Sequence, residues 1–144
     1  MMKTSQKGID LIKKCEGFRD KEYICPAGKP TIGYGHVILP SEHFPSSITK
    51  EEAEILLKND LVSREKSLNI LIKVVITQNQ FDALISLIYN IGIENFKQST
   101  LLKFINDKLF DKIPEQFRRW KYINKVISKG LLNRREEEIK LWLA

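Results

Sequence analysis

Four side chains able to do chemistry fall within one stretch, Glu16 to His36, which reads EGFRDKEYICPAGKPTIGYGH. Glu16 offers a carboxyl, Cys25 a thiol, Thr31 a hydroxyl and His36 an imidazole. A carboxyl delivers a proton only where its surroundings keep it neutral; burial favours that form and a neighbouring guanidinium opposes it. A thiol attacks or accepts a proton as the thiolate, and an unperturbed cysteine, with a pKa of about 8.5, is mostly neutral at pH 7. A hydroxyl can hold a water, and an imidazole titrates near neutrality. Proton transfer is therefore the chemistry on offer. Metal chemistry is not, because the chain has 2 His and 2 Cys, too few for a zinc site.

The elements around these residues must place them. The spacing predicts a helix over residues 5–15, with Ile9, Ile12 and Glu16 at i, i+3 and i+7 on one face and Gly17 ending it. Glu22–Cys25 and Pro30–Tyr34 read as strands around the turn Pro26-Ala27-Gly28-Lys29, a hairpin that brings Cys25 and Thr31 together. Gly33 and Gly35 flank Tyr34, which suggests a sharp bend or a close approach to another backbone. Residues 37–48 read as loop. Thr49 and Glu52 form a capping box for a long helix to about residue 72, and Asp60 lies on its apolar stripe. Thr77 and Gln80 open a second helix, QNQFDALISLIYNIG, apolar nearly all round and therefore buried. Ser99 caps a helix to about Asp107, Pro114 suits the first turn of another, and Gly130 precedes a final helix. The fold class is α+β, mainly helical. A single domain is expected, with a β lobe at about 16–48, a long connecting helix, and a helical lobe at about 73–144 joined by the N-terminal helix.

Composition fits a globular domain: 144 residues, 42% apolar and 29% charged. No apolar run approaches the roughly 18 residues of a membrane span, and the N-terminus lacks the pattern of a secretory signal. Synthesis in the cytosol is expected. The net charge of +6 favours anionic polymers but is scattered along the chain.

The stretch resembles the catalytic signature of phage-type lysozymes (endolysins) of glycoside hydrolase family 24: Glu, eight residues, Asp or Cys, five residues, Thr. Glu16, Cys25 and Thr31 match it. The similarity continues through QFDALISLIYNIG, FKQSTLL at 96–102 and GLLNRREEEIKLW at 130–142, in order along nearly the whole chain. The resemblance implies a lysozyme-like fold and a muramidase hydrolysing the β-1,4 bond between N-acetylmuramic acid and N-acetylglucosamine in peptidoglycan.

It further implies Glu16 as general acid and Thr31 as the holder of the attacking water, with inversion. Cys25 stands where many members carry Asp; a thiolate base or nucleophile, a water-positioner and a small buried hydrophobe are all compatible with it. Arg134 or Arg135 would be the basic neighbour of the acid, with Arg19 also close in sequence. Val37, Tyr89, Asn90 and Ser99 would contact sugar. His36 is read as structural, paired with Asp60. Cys15 is read as a buried helix cysteine and both thiols as free; Trp120 and Trp142 are read as core. Bacterial peptidoglycan is the expected partner of a monomer needing no cofactor, without nucleic acid and without stable membrane insertion. If phage-encoded, it would accumulate in the host cytoplasm and reach the wall through a holin-like pore. Two rival readings differ in product: a lytic transglycosylase leaves anhydro ends, and a basic wall- or nucleic-acid-binding module cuts nothing. The chain carries no nucleic-acid-binding motif.

Overall fold

The computed structural model describes all residues, 1–144. The chain opens with a helix, α1 (Gln6–Glu16), which buries Gly8, Ile9 and Ile12. Gly17 turns the chain out of it at φ 75°, a conformation glycine adopts without a Cβ penalty. Its N–H still bonds the Lys13 carbonyl at 2.9 Å. Glu16 is thus the last helical residue, one position beyond the predicted end.

The β lobe follows: β1 (Arg19–Ile24), β2 (Pro30–Gly33) and β3 (His36–Val37), antiparallel in the order β1-β2-β3. Tyr23 faces Thr31 and Ile24 faces Pro30, with an irregularity between Arg19 and Tyr23. Thr31 and Ile32 are then paired with Val37 and His36. β3 corrects the expectation that residues 37–48 are all loop. Its two residues are too few to show the alternation by which strands are read. β1 is largely exposed, whereas β2 is covered on both faces because the long helix packs over it.

That helix, α2 (Lys50–Leu71), has 22 residues and spans about 33 Å. Thr49 Oγ1 accepts from the Glu52 N–H at 3.1 Å, and the Glu52 carboxylate accepts from the Thr49 N–H at 3.0 Å. The same reciprocal cap, made by Thr77 and Gln80, opens α3 (Gln78–Ile91), in which Phe81 to Ile88 are all buried. α3 is the axis of the helical lobe, packed between α1 and the last helix. The apolar core is one continuous cluster that takes Ile9 and Ile12 from α1, Ile32 from β2, Leu57 and Leu61 from α2, and the α3 residues.

Beyond α3 come α4 (Ile93–Lys97), α5 (Thr100–Asn106), a 3₁₀ turn (Phe110–Lys112), α6 (Ile113–Arg118), a second hairpin of β4 (Tyr122–Ile123) and β5 (Val126–Ile127), and α7 (Lys129–Leu143). Ser99 caps α5 and Pro114 lies in the first turn of α6, as expected. α4 and the second hairpin were not expected. The hairpin turns through Asn124 and Lys125, both at positive φ (49° and 68°), as two-residue hairpin turns require. Gly130 does not precede α7 but lies in its first turn: Ser128 is the cap, and its Oγ accepts from the Leu131 N–H at 3.2 Å. Trp142 is core, packed on Phe117. No helix is long and apolar enough to cross a membrane.

Candidate active site

Ending α1 at Glu16 strands a carboxylate where α1, the β lobe, α3 and α7 meet. Its side chain is 22% exposed. Oε2 accepts a hydrogen bond from Arg134 Nη1 of α7 at 2.6 Å. Oε1 has no protein partner and faces Gly35, where a Cβ would come within 3.0 Å of it. Gly35 makes a close approach, but to a side chain rather than to the other backbone expected from the glycines around Tyr34.

Glu16 is shared by two recesses of one cleft. One, about 250 Å³, is lined by Gly35, Val37, Asp60, Arg64, Tyr89 and Asn90. The other, about 480 Å³, includes Cys15, Asn90, Ile123, Asn133 and Arg134. A further cavity of about 550 Å³ lies away from these groups, between Met1–Thr4 and α2.

Arg134 is nearly buried. Its Nη2 donates to the Ser86 carbonyl at 3.1 Å, and its Nε reaches Glu138 at 3.4 Å. Burial works against the charge, but the Glu16 and Glu138 carboxylates outweigh it and hold the guanidinium above its ordinary pKa. The acid is thus clamped on one oxygen and open on the other.

On the hairpin, the Cys25 N–H donates to the Lys29 carbonyl at 2.9 Å and the Gly28 N–H to the Cys25 carbonyl at 2.8 Å. Hydrogen bonding from the Lys29 backbone and then from the Thr31 hydroxyl holds the Cys25 thiol below its ordinary value. Thr31 is buried and its Oγ1 sits 3.0 Å from the Lys29 carbonyl. Its single proton can turn to that carbonyl or to the sulfur, and an ionised sulfur attracts it. Cys25 is half-exposed, which removes the reading of it as a small buried hydrophobe. Both Cys15 and Cys25 are free thiols, and burial pushes Cys15 up.

A phage lysozyme family model matches residues 13–138. The chain belongs to the phage lysozyme family. It is 42% identical to an endolysin of Acyrthosiphon pisum secondary endosymbiont phage 1, over 98% of both chains. It is 43% identical to the Bacillus phage B103 endolysin over 99% of its own length, but spans 54% of that longer protein. Among solved structures, the muramidase domain of SpmX from Asticaccaulis excentricus superposes with a TM-score of 0.91 at 36% identity, covering 100% of this chain and 99% of that one.

The residues expected at the site separate into those at the cleft and those elsewhere. Glu16, Val37, Tyr89, Asn90 and Arg134 line it, whereas Cys25 and Thr31, on the β lobe, are not among the residues lining either recess. Arg135 does not line it either: it is fully buried behind Arg134 and pairs with Glu138 at 2.7 Å. On α7, successive residues point about 100° apart, so only one of the pair can reach the acid. Arg19 lies over the Tyr23 ring, and the ion pair of Glu16 is made by Arg134. Ser99 lines a different recess with Gln116, Arg119 and Trp120. Its Oγ caps α5 at the Leu102 N–H, 3.1 Å away.

His36 is scaffold. Its Nδ1 is 2.8 Å from Asp60 on α2, and its Nε2 is 2.9 Å from Glu42, a partner the sequence did not suggest. The Asp60 bond, against burial and with help from Glu42, holds the imidazole above its ordinary value. A raised folded pKa means that this contribution is complete below about 6.5, the unfolded value, and fades as pH climbs through the folded one. Glu42 is lowered, first by the Leu39 N–H, so its share is present above its unfolded value and lost only in acid. An NMR titration should therefore place His36 above 6.5. A midpoint at or below that value would refute the ion-paired reading.

Sequence reasoning missed Arg64, Ser86 and Glu138. Arg64 follows Asp60 by one turn, and Glu138 follows Arg134 by one turn, so the i, i+4 spacing carried a signal for both. Nothing local marks Ser86, which is placed only when α3 packs on α7.

Proposed function

We propose that this chain is a muramidase of glycoside hydrolase family 24 (EC 3.2.1.17), hydrolysing the β-1,4 bond between N-acetylmuramic acid and N-acetylglucosamine and so lysing the bacterial wall. One observation carries this reading: a helix-terminal carboxylate in an open cleft, with Oε2 held by Arg134 and Oε1 free. Membership of the family and the endolysin and muramidase relatives support it.

A glycosidic bond needs a proton on its leaving oxygen and a nucleophile at the sugar carbon. Glu16 acts as the general acid from its open Oε1 side, delivering a proton to the leaving oxygen. Thr31 holds the water on the opposite face, and the Cys25 thiolate accepts that water's proton as oxygen bonds to carbon, giving inversion. Val37, Tyr89 and Asn90 border the sugars. The β lobe and the helical lobe form a single lysozyme-type domain, a reading that their shared core supports. The chain works as a monomer on peptidoglycan without a cofactor, and a holin-like pore would release it to the wall.

Mass spectrometry of digested peptidoglycan tests the reaction. Reducing ends indicate hydrolysis; products lighter by one water indicate transglycosylation and overturn this reading. The same digest tests the cysteine. Cys25→Ala should lower kcat by about 10²-fold, as for loss of a general base. Cys25→Asp should restore much of that and move the alkaline-rising limb of the pH profile toward acid. Full activity in Cys25→Ala would remove the base role.

A further inference from the structure

Arg64 has no place in the chemistry above, yet it is built into the cleft. It lies on α2 one turn after Asp60, and its Nη1 donates to the Asp60 carbonyl at 2.6 Å. Its guanidinium carbon sits 5.0 Å from the centre of the Tyr89 ring. That ring is fixed in turn, because Tyr89 Oη donates to the Tyr34 carbonyl at 2.8 Å. The guanidinium is thus oriented by a hydrogen bond and an aromatic face, with most of its five N–H donors unused by the protein.

The charge balance of the recess is the decisive point. Its two carboxylates have partners outside it: Glu16 has Arg134 at 2.6 Å, and Asp60 has the His36 imidazole at 2.8 Å, which Glu42 also holds at 2.9 Å. Arg64 pairs with no carboxylate. The recess beside the acid therefore presents one planar cation with no carboxylate partner of its own and with free N–H donors, the geometry that takes a carboxylate in a two-pronged hydrogen bond.

We propose that Arg64 is a specificity-determining residue that binds a carboxylate carried by the muramic-acid side of the substrate. This rests on the muramidase reading. N-acetylglucosamine has no carboxylate, so a cation here distinguishes the two sugars of the alternating chain and sets which one occupies the recess. The carboxylate comes either from the stem peptide or from the lactyl ether once the peptide is removed.

Steady-state kinetics on two soluble glycans, one with stem peptides and one stripped by an amidase, separate those sources. Chitin oligosaccharide serves as a neutral competitive inhibitor. Arg64→Gln should raise KM about tenfold on at least one glycan, the loss of one charge-assisted contact, and change kcat by less than about twofold. The Ki of chitin oligosaccharide should stay the same. Arg64→Lys should recover only part of the loss, because an ammonium keeps the charge but not the fork. A penalty confined to the stem-bearing glycan identifies the peptide as the source, and a penalty on the stripped glycan identifies the lactyl group. Unchanged KM on both glycans, or a chitin Ki weakened by the same factor, overturns the proposal. Wild-type protein that cuts neither glycan would overturn the muramidase reading itself, a result distinct from an Arg64 variant that behaves like wild type.

Discussion

Replacing Glu16 by Gln should leave a folded protein that no longer clears outer-membrane-permeabilised bacteria, with glycan cleavage reduced by roughly 10²–10⁴-fold. The substitution keeps the shape of the side chain and leaves an amide oxygen to accept from Arg134 Nη1, now 2.6 Å from Oε2. What it removes is the proton on the open side. The other acids that line the recesses are engaged elsewhere: Glu137 pairs with Lys14 at 3.4 Å, on the exposed face of α7. Asp60 is committed to His36, the Tyr89 hydroxyl to the Tyr34 carbonyl, and burial pushes the Tyr89 phenol further up. The cost in stability should be moderate: the Glu16 side chain is partly solvated, but its loss as a charge leaves Arg134 and Arg135 sharing Glu138 alone. Circular dichroism and a melting curve establish folding, and turbidity and the peptidoglycan digest read activity. If the variant cleared cells as fast as wild type, lysis would proceed without acid catalysis, for instance through disruption of the membrane by a basic surface, and the muramidase reading would fall.

The parts of the site that the sequence disclosed are those set by local chemistry. Glu16 was legible because Gly17 dictates where α1 stops. The capping boxes at Thr49 and Thr77 fixed the start of α2 and α3, and with them the positions of Asp60, Tyr89 and Asn90. The His36–Asp60 pair followed from one acid out of place on an apolar stripe. What stayed hidden depends on packing between distant segments. Whether Arg134 or Arg135 meets Glu16 turns on the rotation of α7 about its axis, which nothing in NRREEE decides. The lowered thiol of Cys25 depends on where the Lys29 backbone points within the turn, which a turn signature does not specify. The β4–β5 hairpin was missed because its strands have two residues each and its apolar side chains, Tyr122, Ile123, Val126 and Ile127, are all exposed. Without a buried face, a strand leaves no periodicity to read.

The largest effect on stability should come from Glu138, whose i, i+4 spacing from Arg134 hinted at a pair but not at its burial. It is fully buried, as are Arg135 and Ser86. Its carboxylate meets Arg135 Nε at 2.7 Å and Nη2 at 3.2 Å, and accepts from Ser86 Oγ at 2.6 Å. Burial pushes the Glu138 carboxyl up and pulls the Arg135 guanidinium down, the sign of two ions removed from water. With Arg134 and Glu16 the cluster is neutral, two guanidinia against two carboxylates. Glu138→Leu breaks that balance and leaves Arg135 with only the Trp120 carbonyl, 3.1 Å from its Nη1. An orphaned buried charge costs about 3–5 kcal/mol, a large part of the roughly 5–15 kcal/mol that holds a domain together. For a chain of this length the melting temperature should fall by about 10–15 °C. Activity should fall too, since Glu138 also faces Arg134 at 3.4 Å and so helps aim the clamp on Glu16. Removing both ions together in Arg135→Met/Glu138→Leu should cost far less than Glu138→Leu alone, because no charge is then left without its partner. Urea unfolding of the two singles and the double measures this coupling. Additive losses would mean that packing volume, rather than the buried pair, makes Glu138 indispensable.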